Sequence, residues 1–204
     1  MLMAARPCTF DTNFPHDWQA QILEWPPLIV PSQHFIYPQA VEEVELGALQ
    51  ILFRSMPSSA RPETTQAMAT FALGFADPSL PHGLWSCPNP QEICAIAGGY
   101  AYIVKADQPA QWMQVPYRPV TAVHVALERQ LLIFASFHTF WALGANGKVW
   151  ETAQLSWEGL RVTAVYPEQL EGFGWDLETD AEVPFTVNLT TGSHTGGAGA
   201  GPAK

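Results

Sequence analysis

The sequence predicts a mainly β protein: two packed antiparallel sheets, a sandwich or blade-like repeats, behind an irregular proline-rich N-terminal arm with one or two short helices. Three observations carry the prediction. Beyond about residue 90, short apolar runs recur between Gly, Pro, Asp and Asn clusters at intervals of about 8 to 12 residues. Asn146-Gly147 sits between two aromatic-rich runs in the stretch Leu131 to Trp157. That dipeptide is suited to a type I′ turn, which demands positive φ at both central residues. Lastly, Leu49, Ile51 and Phe53 alternate with less apolar neighbours, and Phe71, Leu73 and Phe75 do the same, so these two runs are expected to be paired strands.

In residues 1–38, Pro7, Pro15, Pro26, Pro27, Pro31 and Pro38 interrupt Phe10, Phe14, Trp18, Trp25, Phe35 and Tyr37. A proline lacks the donor a central strand needs, so this segment is expected to lie against its own domain as an arm anchored by aromatic side chains. The alternative is insertion into a second subunit. Short helices are expected near Asp17 to Leu23 and Gln39 to Glu45. Residues 39–90 form a covering segment with a strand pair, and its proline-dense end, 78–90, marks a seam. Residues 91–190 form the β-repeat core and 191–204 a flexible glycine-rich tail, the whole making one compact domain.

Within the core, Ile93–Val104, Gln111–Val115, Val120–Leu127, Leu160–Val165, Leu170–Trp175 and Val183–Leu189 read as strands, and Leu131–Leu143 as another. Sliding Ile93 onto Leu131 sets Ala97 on Ala135, Tyr102 on Phe140 and Trp112 on Trp150, a period of roughly 38 to 40 residues like that of a four-stranded blade. Trp175-Asp176 alone does not make a WD40 array.

The composition restricts function. Nineteen acidic against nine basic residues give a formal charge of -10, which disfavours phosphate backbones and anionic membranes, so neither nucleic acid nor membrane is expected as a partner. Cys8, Cys87 and Cys94 form an odd set, and the N-terminus lacks an export-signal pattern, so a cytoplasmic, reducing setting is expected. In that setting the sequon at Asn188 is a chance match.

The candidate chemistry is sparse. His82, Cys87 and Cys94 lack the close pairs that zinc sites use, and no metal centre is expected from them. Asp176, Glu178, Asp180 and Glu182 alternate along one turn. They offer a weak Ca²⁺ alternative, set against the simpler reading of solvated carboxylates. His138 falls near Leu155 if residues pair about Asn146-Gly147, while Glu151 would face Ala142, which removes a His–carboxylate dyad. Gly98-Gly99 lacks phosphate-loop spacing and is read as a bulge or close approach. No hydrolase motif and no cofactor signature is present, so enzymatic activity is not expected.

Among Trp141, Trp150, Trp157 and Trp175, most are expected in the core, with the remainder free to line a groove. The ligand-binding candidates are therefore Trp157, Trp175, His138 and Asp176. The leading expectation is a soluble, non-catalytic interaction module that binds a basic protein partner, of which an inhibitor of a basic toxin would be one case, or self-associates as a homodimer. The alternative is a binder of a small, sugar-like ligand, or an enzyme, with its cleft between the N-terminal segment and the β core.

Overall fold

The computed structural model describes residues 7–25, 27–38, 47–57 and 64–199. The chain forms two compact units, Met1–Pro119 and Val120–Lys204, and the described residues build four sheets. The fold is mainly β.

The proline-broken N-terminal segment supplies β1 (Thr9–Asp11), β2 (Trp18–Ile22) and β3 (His34–Tyr37). The helix expected near Asp17 to Leu23 is β2 instead. Trp-Gln-Ala-Gln-Ile alternates apolar and polar with period two, and its burial alternates in step. The expected helix at Gln39 to Glu45 lies outside the described residues. β4 (Ala48–Ser55) and β5 (Gln66–Ala72) pair antiparallel with Leu49 opposite Phe71. β2 then adds antiparallel to β4, and β3 adds parallel to β5. The arm is thus a set of edge strands, the position that tolerates flanking prolines.

The second sheet of this unit contains β6 (Gly83–Ser86), β7 (Glu92–Ala97), β8 (Tyr100–Lys105) and β9 (Trp112–Gln114), with β1 parallel to β6 at its edge. The proline-dense stretch 78–90 therefore lies inside the first unit and carries a strand of its sheet. Phe14 donates its N–H to Ser86 Oγ at 2.9 Å, Trp18 Nε1 donates to Glu92 O at 3.0 Å, and the Tyr37 hydroxyl donates to Pro109 O at 2.7 Å. Each bond ties the N-terminal segment to the five-stranded sheet or its loops. Around them Tyr37 stacks on Phe71 at 5.0 Å, and Phe71 meets Tyr102 at 5.4 Å.

The second unit is two meanders. The first is β10 (Ala122–Ala126), a 3-10 turn at Leu127–Arg129, β11 (Leu131–Ala135), β12 (Phe140–Gly144) and β13 (Gly147–Glu151). The second is β14 (Leu160–Val165), β15 (Gln169–Asp176), β16 (Ala181–Asn188) and β17 (His194–Gly196). Ile133, Phe140, Trp150, Leu155, Leu170, Phe185 and Val187 form their shared core. The segment expected to be a flexible tail contributes β17, and the Ala198 N–H donates to Leu155 O at 2.8 Å.

Two apolar runs read as single strands are hairpins. Ile93–Val104 turns at Gly98-Gly99, both with positive φ (+55° and +80°), between the paired Ala97 and Tyr100. Leu131–Leu143 turns at 136–139, where Ser136 Oγ accepts from the N–H of His138 at 3.1 Å and of Thr139 at 3.0 Å. The Asn146-Gly147 hairpin is present, but only Gly147 takes a positive φ (+104°), so the turn is not type I′. Gly144 pairs with Gly147, two off the expected register, and a bulge between Ala142 and Leu143 returns one residue, so Glu151 stands opposite Trp141 rather than Ala142. The 38-residue offset superposes β7 on β11 and β8 on β12, the second and third strands of two consecutive meanders.

Replacing Trp18 by Ala removes a 1% exposed ring and leaves Glu92 O without its indole donor. A loss of about 3–5 kcal/mol is expected by urea denaturation. W18F, which keeps most of the packing, is expected to cost about 1–3 kcal/mol.

Candidate functional site

Three of the four sequence candidates converge in the second unit around a residue the sequence reading did not select, Ser156. This serine is fully buried. Its Oγ accepts from Trp175 N at 2.7 Å and Glu158 N at 3.2 Å and donates to Gly159 O at 2.5 Å. Trp157 N donates to Trp175 O at 2.9 Å, joining the 152–159 segment to the end of β15. His138 Nδ1 lies 3.1 Å from Ser156 O, and because a carbonyl only accepts, that nitrogen carries the proton. Leu155 N donates to His138 O at 2.8 Å, so His138 lies beside Leu155 as expected, on the extension of the two arms that the Asn146-Gly147 reversal joins. A serine hydroxyl committed to three backbone groups, with no histidine nitrogen on it, is a structural tie and not a nucleophile.

Glycine makes this junction: a Cβ on Gly174 would stand 2.0 Å from Leu155 O. Beside the junction, the outward residues of β14, β15 and β16 border a groove of about 220 Å³ lined by Glu158, Leu160, Arg161, Phe173, Trp175 and Glu182. Arg161 donates from Nε to Glu182 Oε1 at 2.9 Å and from an Nη to Oε2 at 2.5 Å, while its guanidinium lies 4.5 Å from the Phe173 centroid. The Arg161 hydrogen bonds hold the Glu182 carboxyl below its ordinary pKa. Trp157 is 40% exposed beyond the groove.

The fourth candidate, Asp176, closes the β15–β16 turn. Its carboxylate accepts from Thr179 Oγ1 at 2.7 Å and Glu178 N at 3.3 Å, and the Thr179 hydroxyl lowers its pKa. Of the proposed Ca²⁺ set, Asp176 is turned onto this cap and Glu182 onto Arg161. Among the described residues no three His, Cys, Asp or Glu side chains are placed to hold a metal. Cys87 and Cys94 are fully buried, and burial raises both thiol pKa values. Trp141 and Trp150 are core residues, the latter donating to Leu189 O at 2.7 Å.

The first unit carries a feature of another kind. Between β2 and β3, Trp25, Leu28, Ile29 and Val30 are 80%, 105%, 86% and 53% exposed. Sequence reading marked Trp25 among the arm's aromatic residues but singled out no aliphatic residue here. The signal available was the uncharged run Leu28-Ile29-Val30 between Pro27 and Pro31, which belongs to no alternating pattern.

No protein-family model matches the chain, and no curated protein matches it. No helix among the described residues is long and apolar enough to cross a membrane.

His124 is a second residue the sequence reading passed over. It shares the inward face of β10 with Ala122 and Ala126, its ring meets Phe140 edge-on at 6.3 Å, and Nε2 is buried without a hydrogen-bond partner. Burial pushes its pKa from 6.5 down to about 4.

Ser156→Ala removes the partner of the half-buried Trp175 N–H and Gly159 O and is expected to cost about 1–3 kcal/mol in a denaturant titration. For His124, both states are neutral above pH 6.5. Between 6.5 and about 4 the unfolded chain binds a proton that the fold refuses, so stability falls as pH falls and the loss is complete below that window. Wild type is expected to lose up to about 3 kcal/mol more than His124→Leu between pH 7 and pH 4, read as the difference between the two proteins' unfolding curves.

Proposed function

We propose that the protein is a non-catalytic binding module whose contact element is the Trp25–Val30 loop, seated in an apolar groove of a protein partner. The observation that carries this reading is the exposure of four large apolar side chains within six residues. Isolated exposed apolar residues are ordinary on a protein surface, but a contiguous set marks an interaction site. Burying each side chain would contribute about 1.5–3 kcal/mol before the costs of association. The loop's ends are held by the paired strands β2 and β3, and Pro27 and Pro31 restrict its backbone. Less freedom is therefore lost on docking than for a free tail.

The acidic balance of 19 against 9 favours a partner of opposite charge, since complementary fields speed encounter. A second copy of the chain is the other occupant consistent with the apolar loop, although the like charge opposes it. The unpaired thiols Cys87 and Cys94 suit a reducing compartment such as the cytoplasm.

The test places a photo-crosslinking amino acid at position 29 in cells that express the protein. A single discrete adduct, weakened by Leu28→Ser, is the expected result, and its mass distinguishes a foreign partner from a second copy. Absence of any loop-dependent adduct, together with a strict monomer in sedimentation, would overturn the reading.

A further inference from the structure

We infer that the groove beside Trp175 in the second unit is a binding site for a lysine- or arginine-bearing segment of a partner protein. The inference rests on the reading of the protein as a binding module, but it concerns a different surface from the Trp25–Val30 loop. Three observations converge on it.

The groove already shows how its face holds a cation. Arg161 lies over Phe173 at 4.5 Å and is held bidentately by Glu182, the pairing of an aromatic face with a carboxylate that suits a guanidinium. Trp175 stands on the same outward row of β15, two residues on, and lines the same groove. Its ring has no aromatic or cationic neighbour among the described residues.

Charge supplies the second observation. In this unit Arg129, Lys148 and Arg161 are ion-paired to Glu168, Glu151 and Glu182. Glu158 lines the groove, and Asp176, Glu178 and Asp180 follow Trp175 directly in the β15–β16 turn. None of these four carboxylates has an ion-pair partner among the described residues. One end of the sheet therefore carries a local excess of negative charge beside the half-buried Trp175 indole.

The third is rigidity. Trp175 is fixed by its N–H donating to Ser156 Oγ, by its carbonyl accepting from Trp157 N, and by the close approach of Gly174 to Leu155 O, so the ring is presented on a held strand. An incoming lysine or arginine would lay its charged end on Trp175, with Glu158 and the turn carboxylates accepting its N–H groups. Arg161 would keep its place on Phe173.

The test uses the full chain and a fluorescein-labelled octapeptide alternating lysine or arginine with glycine, read by anisotropy. A glutamate-containing peptide of the same length is the control. Saturable binding of the basic peptide alone is expected. Trp175→Ala should weaken it about tenfold and Glu158→Gln about threefold. Glu128→Gln removes the same charge near the far end of β15 and should leave affinity unchanged. Arg161→Ala, which frees Phe173 and Glu182 and deletes a competing cation, should tighten binding.

Equal weakening by E128Q and E158Q would mean diffuse attraction to an acidic protein and would overturn the inference. So would wild-type affinity in W175A, shown folded by its unfolding curve. Leu28→Ser should leave the peptide affinity unchanged, so the loop reading and the groove stand or fall separately.

Discussion

Backbone pairing by strands, with no α-helix among the described residues, is the constraint on which the structure depends. Every buried strand N–H and C=O must meet another strand or a loop, because an unpaired group away from water costs as much as a lost hydrogen bond. β10–β13 and β14–β17 meet the requirement by joining neighbours through short turns. The first unit cannot do so by adjacency alone. It takes β1, β2 and β3 from a segment whose prolines forbid central strands and sets them at edges, two of them in parallel pairings.

Edge pairing by itself is weak, and side chains make it specific. The Trp18 indole and the Tyr37 hydroxyl each donate across to backbone carbonyls of the five-stranded sheet or its loops. The rings thus bury apolar area and also satisfy their own polar ends, the condition under which large amphipathic residues can enter a core. Ser156 does the corresponding work in the second unit at small scale, closing a junction where Gly174 lets two backbone segments approach. The same arrangement holds Trp175 at the edge of the groove while Trp141 and Trp150 are spent on the core.

Much of the fold was legible because amphipathic strands advertise themselves. β4, β14 and β16 fall close to where alternation places them, since each has one wetter face. The turns at Gly98-Gly99 and Ser136–Thr139 were concealed for the opposite reason. β7, β8, β11 and β12 are buried on both faces, so polarity does not alternate and two strands read as one. Of the candidate site, Trp157, Trp175 and His138 were visible as residues with chemistry to offer. Ser156 was not, because a serine acquires its role only from the three backbone groups around it. The Ca²⁺ reading of the acidic turn met the same limit: spacing cannot say that Asp176 faces Thr179 while Glu182 faces Arg161.

By itself, the sequence determined that this chain is mainly β, that it is acidic, that the run Leu49 to Phe53 pairs with one that includes Phe71, and that the chain reverses at Asn146-Gly147. These properties follow from residue type and near-neighbour periodicity, which act over a few residues. Tertiary structure alone decided which sheet edge each proline-flanked strand occupies, which tryptophans are buried, and that Leu28 and Ile29 stand in solvent. Such outcomes depend on contacts between residues as far apart as Trp18 and Glu92, a separation over which no local pattern in the chain carries information.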